Sequence, residues 1–267
     1  MTTAADNILR LGRHFAQIAV DSLFPRDCAA CAQVLAGPGP FCPTCSELTL
    51  EIDRVHCPRC GLPGVHDKKS CPDCADLADP DDNKKMSFIR ARALYVYGAV
   101  VEQALRRCKF SGAAHIAQMV GQHMGKALAG NRLELDADFD FVVPIPVGTG
   151  RLRTRGFDQA VLMAQALGTA ARKQVRPHVL RRQRETAAQA TQSRQKRREN
   201  IHNAFVCAQP AQVRNKKILI IDDVMTTGMT AQAAARALLL ADAAQVEVLT
   251  FARAVLDYDF APQQVRQ

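Results

Sequence analysis

The sequence has no tryptophan and only three tyrosines, and aromatic residues make up 5% of its 267 positions. Proteins that hold single-stranded nucleic acid by base stacking rely on aromatic side chains, so an extended stacking platform is not expected. No apolar run approaches the roughly 18 residues of a membrane span. The apolar stretch near the N-terminus is interrupted by Arg10, Arg13 and His14, which argues against a secretory signal. We therefore expect a cytoplasmic protein without a membrane span.

Hydrophobic residues supply 48% of the sequence, and the length suits one α/β domain with a small appended module. Residues 1–27 place apolar side chains at helical spacing and are predicted to form an amphipathic helix. Residues 76–85 are polar, contain Pro80 and are predicted to be a linker. The expected order is this helix, a cysteine-rich module at 28–75, the linker and an α/β domain at 86–267.

Eight of the ten cysteines form four C-x-x-C pairs, and the second two pairs repeat the first two with a shift of 29 positions. Two such pairs bring four thiolates onto one tetrahedral metal ion and leave no open position for water. The sequence predicts two structural Zn²⁺ sites. Disulfides would need an oxidising compartment, and a thioredoxin-like redox motif would be single. Each C-x-x-C pair is called a knuckle. A zinc site built from one knuckle of each set is an open alternative. The predicted ligands are Cys28, Cys31, Cys42, Cys45, Cys57, Cys60, Cys71 and Cys74.

The remaining cysteines, Cys108 and Cys207, stand alone and are predicted to be buried as small hydrophobic side chains. His56 and His66 lie near the knuckles. Because eight cysteines already fill two sites, neither histidine is expected to bind metal.

The strongest local pattern is KILIIDDVMTTGMT at residues 217–230. Residues 218–221 are typical of a parallel strand buried on both faces, and an Ala/Leu-rich helix is predicted at about 230–241. The loop between them offers backbone N–H groups and a helix N-terminus to a phosphate. Asp222 and Asp223 would repel a phosphate. They suit ribose hydroxyls or a hard cation such as Mg²⁺.

A second buried strand is predicted at residues 141–146, followed by a loop with three arginines and a helix at 161–172. Ligands of open α/β sheets bind at the carboxyl ends of the strands, where this loop is expected to lie. Arginine suits diphosphate because its planar fork binds two oxygens at once. The three arginines are Arg151, Arg153 and Arg155.

Positive charge is concentrated in one part of the chain. The net charge is +9, whereas residues 151–198 alone carry an excess of +11. Such a block attracts the phosphates of a small ligand or of nucleic acid, although a solvated helix face is the alternative. Its polar part at 182–205 is too long for a bare connection and is predicted to be a mobile active-site flap.

Residues 217–230 resemble the phosphoribosyl-pyrophosphate (PRPP) fingerprint of type I phosphoribosyltransferases, an apolar strand followed by an acidic pair and T-T-G-x-T. The resemblance implies an α/β fold of that type, with a mostly parallel sheet flanked by helices. It also implies that Asp222 and Asp223 hold the ribose as the catalytic pair and that the loop holds the 5′-phosphate. The residues assigned to PRPP are Asp222, Asp223, Val224, Met225, Thr226, Thr227, Gly228, Met229 and Thr230, with Arg151, Arg153, Arg155 and Lys109 as candidates for the diphosphate.

The chain as a whole resembles the ComF family, double-zinc-ribbon phosphoribosyltransferase-like proteins linked to competence for DNA uptake. Asp158 departs from the family pattern, which has asparagine there. The resemblance implies binding of Mg²⁺-PRPP, transfer of its phosphoribosyl group and release of diphosphate. The likeness rests on CPRCG (57–61), LRRCKFSG (105–112), PIP with RLRTRGFDQA (144–160), the run of Arg184, Thr186 and Gln189, RRENIHNAF (197–205) and IIDDVMTTGMT (220–230).

Two other functions are compatible with the sequence. The first is a non-catalytic competence protein that binds single-stranded DNA with the basic block and the ribbons. The second is a PRPP-responsive regulator, which shares the ligand site but not turnover. The partners to expect are PRPP, single-stranded DNA and the DNA-uptake machinery; the sequence defines neither the acceptor nor the oligomeric state.

Overall fold

The structure is a computed structural model that describes residues 26–35, 37–52, 55–64, 71–77, 86–110, 112–136, 138–183 and 204–255. Nearly all of the predicted N-terminal helix (1–27), residues 78–85 of the predicted linker (76–85) and residues 184–203 of the predicted flap (182–205) lie outside these residues. The helices are α1 (Pro43–Glu47), α2 (Pro72–Leu77), α3 (Ala99–Phe110), α4 (Ala114–Ala129), α5 (Thr149–Arg155), α6 (Gln159–Ala171), α7 (Pro210–Val213) and α8 (Met229–Leu239). The strands are β1 (Arg90–Val96), β2 (Phe141–Pro144), β3 (Gln174–Val175), β4 (Leu180–Arg182), β5 (Phe205–Cys207), β6 (Lys217–Met225) and β7 (Gln245–Arg253).

A parallel sheet forms the centre of the part of the chain that the structure describes. Its five strands are ordered β1–β7–β6–β2–β3, and every neighbouring pair runs parallel. A separate antiparallel pair, β4–β5, packs beside it. The predicted α/β class with a mostly parallel sheet is confirmed. The central strand β6 is longer than predicted, because its pairing with β7 continues to Met225, opposite Arg253.

The two faces of β6 contribute to two different cores. Ile218 and Ile220 belong to the core that includes α8 and the β4–β5 pair. Leu219 and Ile221 belong to the core under α3, α4 and α6. All four side chains are almost fully buried. Successive side chains of a strand point to opposite faces, so a continuous apolar run requires a covering layer on both sides.

Helices α4 and α6 pack unusually close together. A Cβ atom at Gly121 would lie 2.2 Å from the carbonyl oxygen of Met163, and one at Gly125 would lie 2.7 Å from that of Leu167. Glycines four residues apart therefore let the two backbones approach. Among the described residues, no helix is both long and apolar enough to cross a lipid bilayer.

Asp158 is the N-cap of α6. Its carboxylate accepts hydrogen bonds from the backbone N–H groups of Ala160 (2.9 Å), Val161 (3.2 Å) and Val147 (3.1 Å). Aspartate and asparagine cap helices about equally well. Aspartate at position 158, where the family pattern has asparagine, thus still caps the helix.

The cysteine-rich ribbons lie along the edge strand β1. The first ribbon pairs with the strand through Ile52 N–H to Leu94 O and through Val96 N–H to Leu50 O, both at 2.8 Å. The second accepts a hydrogen bond from Ala91 N–H at the carbonyl oxygen of Arg59 (2.6 Å). Cysteines of the first ribbon join the core under α3, α4 and α6, and those of the second join the core with α8. The ribbons are therefore part of both layers of the α/β domain.

Candidate functional site

Asp222 and Asp223 lie at the carboxyl end of β6. Ile221, just before them, is paired with Pro144 at the end of β2, so the segments that follow both strands emerge at the same edge of the sheet. Ligands of open parallel sheets bind at this edge. Asp223 is buried, with 6% of the residue exposed, and Asp222 is half-buried.

Asp223 is held by a network of side chains from three elements. The ammonium Nζ of Lys109 lies 2.5 Å from its Oδ2, and the Gln159 amide donates to the same oxygen at 3.4 Å. Val224 N–H donates to its Oδ1 at 2.8 Å. Arg155 in turn donates to Gln159 Oε1 at 2.8 Å. The network places two cations next to the acidic pair, where the sequence predicts a diphosphate.

The sequence analysis missed Gln159. A glutamine in the first turn of a helix normally lies at the surface, but this residue is only 4% exposed. It opens α6 four residues after the end of α5, and the turn between the two helices brings its amide to Arg155.

The surroundings of Asp222 disfavour its ionised form. Desolvation, and then the charge of Asp223, raise the pKa of Asp222 well above its ordinary value, while Lys109 opposes the shift. The N–H of Asp223 donates to Asp222 Oδ1 at 2.8 Å. An ionised Asp222 is therefore costly until hydroxyl donors or a cation approach it.

The loop after the acidic pair turns sharply into α8. Gly228 has φ of 76°, in the left-handed region, and is the N-cap of the helix. Thr226 and Thr227 are exposed and Thr230 is half-buried. A helix N-terminus has backbone N–H groups without partners inside the helix, and the helix dipole favours an anion there. The loop can thus offer both hydroxyl and N–H donors to a phosphate.

The buried side chain of Arg253 forms hydrogen bonds to the backbone at the start of this loop. It lies at the end of β7, is 1% exposed and donates through Nη1 to the carbonyl oxygens of Met225 (3.0 Å), Thr226 and Ala254 (2.9 Å). Its Nη2 pairs with the carboxylate of Asp73 in α2. The sequence analysis missed Arg253, although a lone cation in the apolar run VLTFARAVL was a usable signal.

The predicted arginine loop is in fact the short helix α5, and this expectation was wrong. The backbone closes helical hydrogen bonds from Leu152 N–H to Gly148 O (3.0 Å) and from Gly156 N–H to Leu152 O (2.9 Å). Gly156, at φ of 75°, ends the helix in the left-handed conformation.

The three arginines on α5 have different environments. The guanidinium of Arg155 lies 5.7 Å from the centre of the Phe110 ring and reaches the acidic pair through Gln159. Arg151 and Arg153 are exposed on the same helix. Arg155 is thus the arginine that the described contacts join to Asp223.

The eight paired cysteines form two clusters in sequence order, with the first knuckle beside the second and the third beside the fourth. The four Sγ atoms of each cluster lie within 4.8 Å of one another. Measured Sγ–Sγ distances are 3.7 Å for Cys31–Cys42, 3.6 Å for Cys57–Cys74 and 3.5 Å for Cys60–Cys71. Tetrahedral zinc with Zn–S bonds of about 2.3 Å separates its sulfurs by about 3.8 Å. A disulfide would require about 2.0 Å. The clusters therefore fit structural zinc and do not fit disulfides.

The thiols of each cluster cannot all ionise side by side without a cation. Hydrogen bonds from Cys60, and then from Cys71 and Cys74, lower the pKa of Cys57. The contact with Cys57 in turn raises the pKa of Cys60. A divalent metal removes this conflict because it stabilises every thiolate at once.

The first ribbon is bound to α3, the helix that carries Lys109. Arg107 donates through Nη1 to the carbonyl oxygens of Cys28 (2.5 Å) and Ala29 (3.0 Å), and its Nη2 lies 2.5 Å from Asp27 Oδ2. His115 Nε2 lies 2.7 Å from the other oxygen of Asp27. The first ribbon thus holds the end of α3 two residues before Lys109.

Other expectations about cysteine and histidine can be compared with the fold. Cys108 and Cys207 are buried, as predicted, and burial raises the pKa of Cys108 to about 11. His56 is half-buried, lies outside the cysteine clusters and has its Nε2 3.7 Å from Glu134 Oε2. His66 lies outside the described residues.

Comparison with known families agrees with the two parts of this architecture. Residues 19–75 match the double zinc ribbon domain, and residues 117–258 match the phosphoribosyl transferase domain. Fold and cysteine clusters thus define a phosphoribosyltransferase-type protein with a double zinc ribbon. The chain belongs to the ComF family.

Several curated relatives are similar over most of their length. The chain is 30% identical over 231 residues to the DNA utilization protein YhgH of Escherichia coli (strain K12), covering 86% of this chain and 97% of that protein. It is 30% identical over 222 residues to the competence protein ComFC of Bacillus subtilis (strain 168), covering 82% and 86%. Among solved structures, the glutamine PRPP amidotransferase from B. subtilis matches at 16% identity and a TM-score of 0.37, over 57% of this chain and 33% of that one.

Proposed function

We propose that this chain binds Mg²⁺-PRPP at the carboxyl edge of β6 and transfers the phosphoribosyl group to an acceptor. The observation that carries the proposal is the acidic pair near the end of the buried central strand β6, which is followed after Met225 by a threonine-rich loop and the N-terminus of α8. In this proposal Asp222 and Asp223 accept hydrogen bonds from the ribose hydroxyls. The loop at residues 226–230 wraps the 5′-phosphate with its N–H groups and hydroxyls.

A magnesium ion fits the same residues. Asp222 and Asp223 are adjacent carboxylates; desolvation, and then the charge of Asp223, raise the pKa of Asp222, and a cation beside it would oppose that shift. Carboxylate and hydroxyl oxygens are the ligands that Mg²⁺ prefers. When bound, the ion supplies charge stabilisation for the departing diphosphate.

The diphosphate is proposed to lie beside Lys109 and Arg155. Lys109 neutralises Asp223 in the ligand-free chain, and its flexible side chain can turn from that carboxylate to a diphosphate oxygen. Arg155 is braced by Gln159 and offers a forked donor at the same edge. Arg151 and Arg153 add positive potential from the exposed side of α5.

The reaction breaks the bond between ribose C1 and the diphosphate oxygen, and the electron pair leaves with the diphosphate. The acceptor's lone pair forms the new bond to C1, and the acceptor loses its proton. Positive charge develops on the ribose as the bond breaks, so the site works by positioning and by electrostatic stabilisation. Asp222 and Asp223 hold the ribose so that C1 is presented to the acceptor.

The experiment is a titration of Mg²⁺-PRPP into the full chain, followed by measurement of diphosphate release with nucleobases or single-stranded DNA present. Binding with acceptor-dependent release supports the transferase. Binding without release for any acceptor supports a PRPP-responsive regulator in its place. Absence of binding by the wild-type protein overturns the proposal. The Asp222→Asn/Asp223→Asn double variant is the control for binding at this site.

A second candidate function is the binding of single-stranded DNA, which the names of the relatives and the basic block both favour. Three cations of that block make cation–π contacts within the fold. Lys173, Arg176 and Arg182 lie over the rings of Phe139, Phe141 and Phe205 at 4.4, 4.3 and 5.2 Å. A polyanion would instead meet the exposed members of the block. Those that the structure describes are Arg151, Arg153, Arg172 and Arg181.

A further inference from the structure

The second cysteine cluster lies next to the proposed phosphate loop, and α2 joins the two. This helix begins directly after Cys71 and includes Cys74, so two of the four cluster sulfurs fix its start. It has only six residues. A helix this short does not persist by itself in water, because nucleation is unfavourable and few hydrogen bonds repay it. Its position therefore depends on the cluster and on the contacts it makes.

The first contact between α2 and the loop is electrostatic. Asp73 pairs with the buried guanidinium of Arg253, and that same guanidinium donates to the carbonyl oxygens of Met225 and Thr226. Arg253 thus fixes the loop backbone from inside the protein, and Asp73 supplies its counter-charge. A buried cation that loses its partner is strongly unfavourable, so Arg253 keeps this arrangement only while Asp73 stays in place.

The second contact is steric and apolar. Leu77, the last residue of α2, is 1% exposed, and its Cδ1 and Cδ2 lie 2.9 and 3.1 Å from where a Cβ of Gly228 would stand. Met225 Cε lies 2.6 Å from the same point. Leu77 therefore packs directly against the turn of the loop, at the residue whose left-handed conformation starts α8.

The first cluster has different neighbours. Its ribbon is fastened through Arg107 to α3 and joins the core on the other face of the sheet. The two zinc sites are thus repeated in sequence but occupy different structural positions, one beside the helix of Lys109 and one beside the phosphate loop.

We propose that the second zinc site positions the phosphate loop, with Asp73 and Leu77 as the positioning residues. This inference rests on the proposed function insofar as it treats residues 226–230 as the phosphate-binding loop. Zinc at Cys57, Cys60, Cys71 and Cys74 holds α2, and α2 holds the loop through Arg253 and Gly228. Loss of that zinc releases the loop and lowers affinity for a phosphate ligand while the parallel sheet stays folded.

The test compares Cys74→Ser with Cys31→Ser in the full chain, so that each variant removes one ligand from one cluster. Zinc content is measured by elemental analysis, and the order of the loop and of the end of β6 by hydrogen exchange of the amides at residues 224–230. Cys74→Ser is expected to lose one zinc and to speed loop exchange about tenfold, within the range typical of coupling between sites. Cys31→Ser is expected to lose one zinc and to leave loop exchange as in the wild type.

Two further variants keep the test decisive if Cys74→Ser does not fold. Asp73→Asn and Leu77→Ala leave all eight cysteines in place and should retain both zinc ions, yet each should speed loop exchange. Asp242→Asn is the matched control, because it alters an exposed carboxylate 3.6 Å from Arg214. Its loop exchange should equal that of the wild type.

Binding of PRPP separates this proposal from the proposed function. If the wild type binds no PRPP but loop exchange still responds to the second zinc, the coupling stands and the proposed function fails. If the wild type binds PRPP and zinc-depleted Cys74→Ser binds it equally well with unchanged loop exchange, the coupling is overturned and the proposed function stands. Equal loop loosening in Cys31→Ser and Cys74→Ser also overturns it, because the effect is then not specific to the second cluster.

Discussion

The ammonium of Lys109, near the end of α3, lies 2.5 Å from the carboxylate of Asp223 at the end of β6. This pair brings a cation to the acidic pair at the carboxyl edge of the sheet. Next to it, desolvation and then the charge of Asp223 raise the pKa of Asp222. In the proposed function, the acidic pair meets hydroxyl groups and a cation, while Lys109 meets a polyanion.

Replacing Asp222 or Asp223 with asparagine is expected to weaken PRPP binding roughly tenfold or more per residue. Each change keeps the size and removes the charge that strengthens a hydrogen bond, a loss of about 1.5–3 kcal/mol. Calorimetric titration with Mg²⁺-PRPP measures the effect. Asp138→Asn, at a fully exposed carboxylate near Lys217, is the control and should bind as the wild type does. Wild-type affinity in the double variant would show that the ribose does not lie here.

Asp222→Asn is also expected to stabilise the ligand-free protein at neutral pH. Because the folded chain raises the pKa of Asp222 above its ordinary value of 3.8, the folded state binds more protons than the unfolded state between 3.8 and the raised pKa. Wild-type stability therefore falls as pH rises through that window, and the asparagine variant avoids this loss. Melting temperatures of both proteins from acidic to neutral pH measure it. The difference should vanish towards pH 3.8, and a difference independent of pH would contradict the assignment.

Gly228→Val is expected to abolish binding at the phosphate loop by a steric mechanism. A β-branched residue disfavours the φ of 76°, at a cost of about 1–2 kcal/mol, and its Cβ would overlap Met225 and Leu77. Titration with PRPP should show no binding, while circular dichroism shows an intact fold. Gly98→Val is the matched control, since an added Cβ there meets no atom within 4 Å. Retained PRPP binding in Gly228→Val would exclude close contact between this turn and the phosphate.

Freshly purified protein is expected to contain close to two equivalents of zinc. Each cluster brings four sulfurs to the spacing of a tetrahedral site, and the two sites share no ligand. Elemental analysis gives the stoichiometry, and visible absorption tests for iron. One equivalent of zinc, or an iron–sulfur absorption band, would contradict this assignment.

Affinity for single-stranded DNA is expected to fall linearly on a log–log plot against salt concentration, with weak dependence on base sequence. Arg151→Gln/Arg153→Gln should reduce the slope by about 1.4, if each arginine neutralises one phosphate of a single strand. Arg214→Gln, another exposed arginine, is the control and should leave the slope unchanged. Fluorescence anisotropy with a labelled oligonucleotide measures both quantities. Undetectable binding at low salt would remove the DNA role and leave the small-ligand role intact.

The position of the acidic pair and its loop could be predicted from the sequence. The strand, the two carboxylates, the glycine turn and the helix follow one another along the chain, so their arrangement depends on local order. The knuckles are predictable for the same reason, since a C-x-x-C pair fixes two ligands within four residues. Which knuckles share a zinc ion depends on how the ribbons pack against β1. The spacing of the cysteines alone does not determine that packing.

Contacts between distant segments explain what the sequence analysis missed. Arg253 and Asp73 are 180 positions apart, and the sequence around either residue gives no indication that the two side chains meet. Gln159 is 64 positions from Asp223, and the two side chains meet only because β2 and β6 are adjacent in the sheet. The helix α5 was mistaken for a loop because its arginines lie between two glycines, which act here as helix boundaries.

The position of the ribbons along β1 has a consequence for any shortened form of the chain. A strand at the edge of a sheet exposes unpaired N–H and C=O groups that can recruit another chain. In this protein Leu50, Ile52 and Arg59 bond to those groups on β1. A fragment beginning at residue 86 would lose that cover and would uncover apolar surface on both faces of the sheet. We expect such a fragment to self-associate, because the domain at 86–267 depends on the ribbons to cover its edge strand.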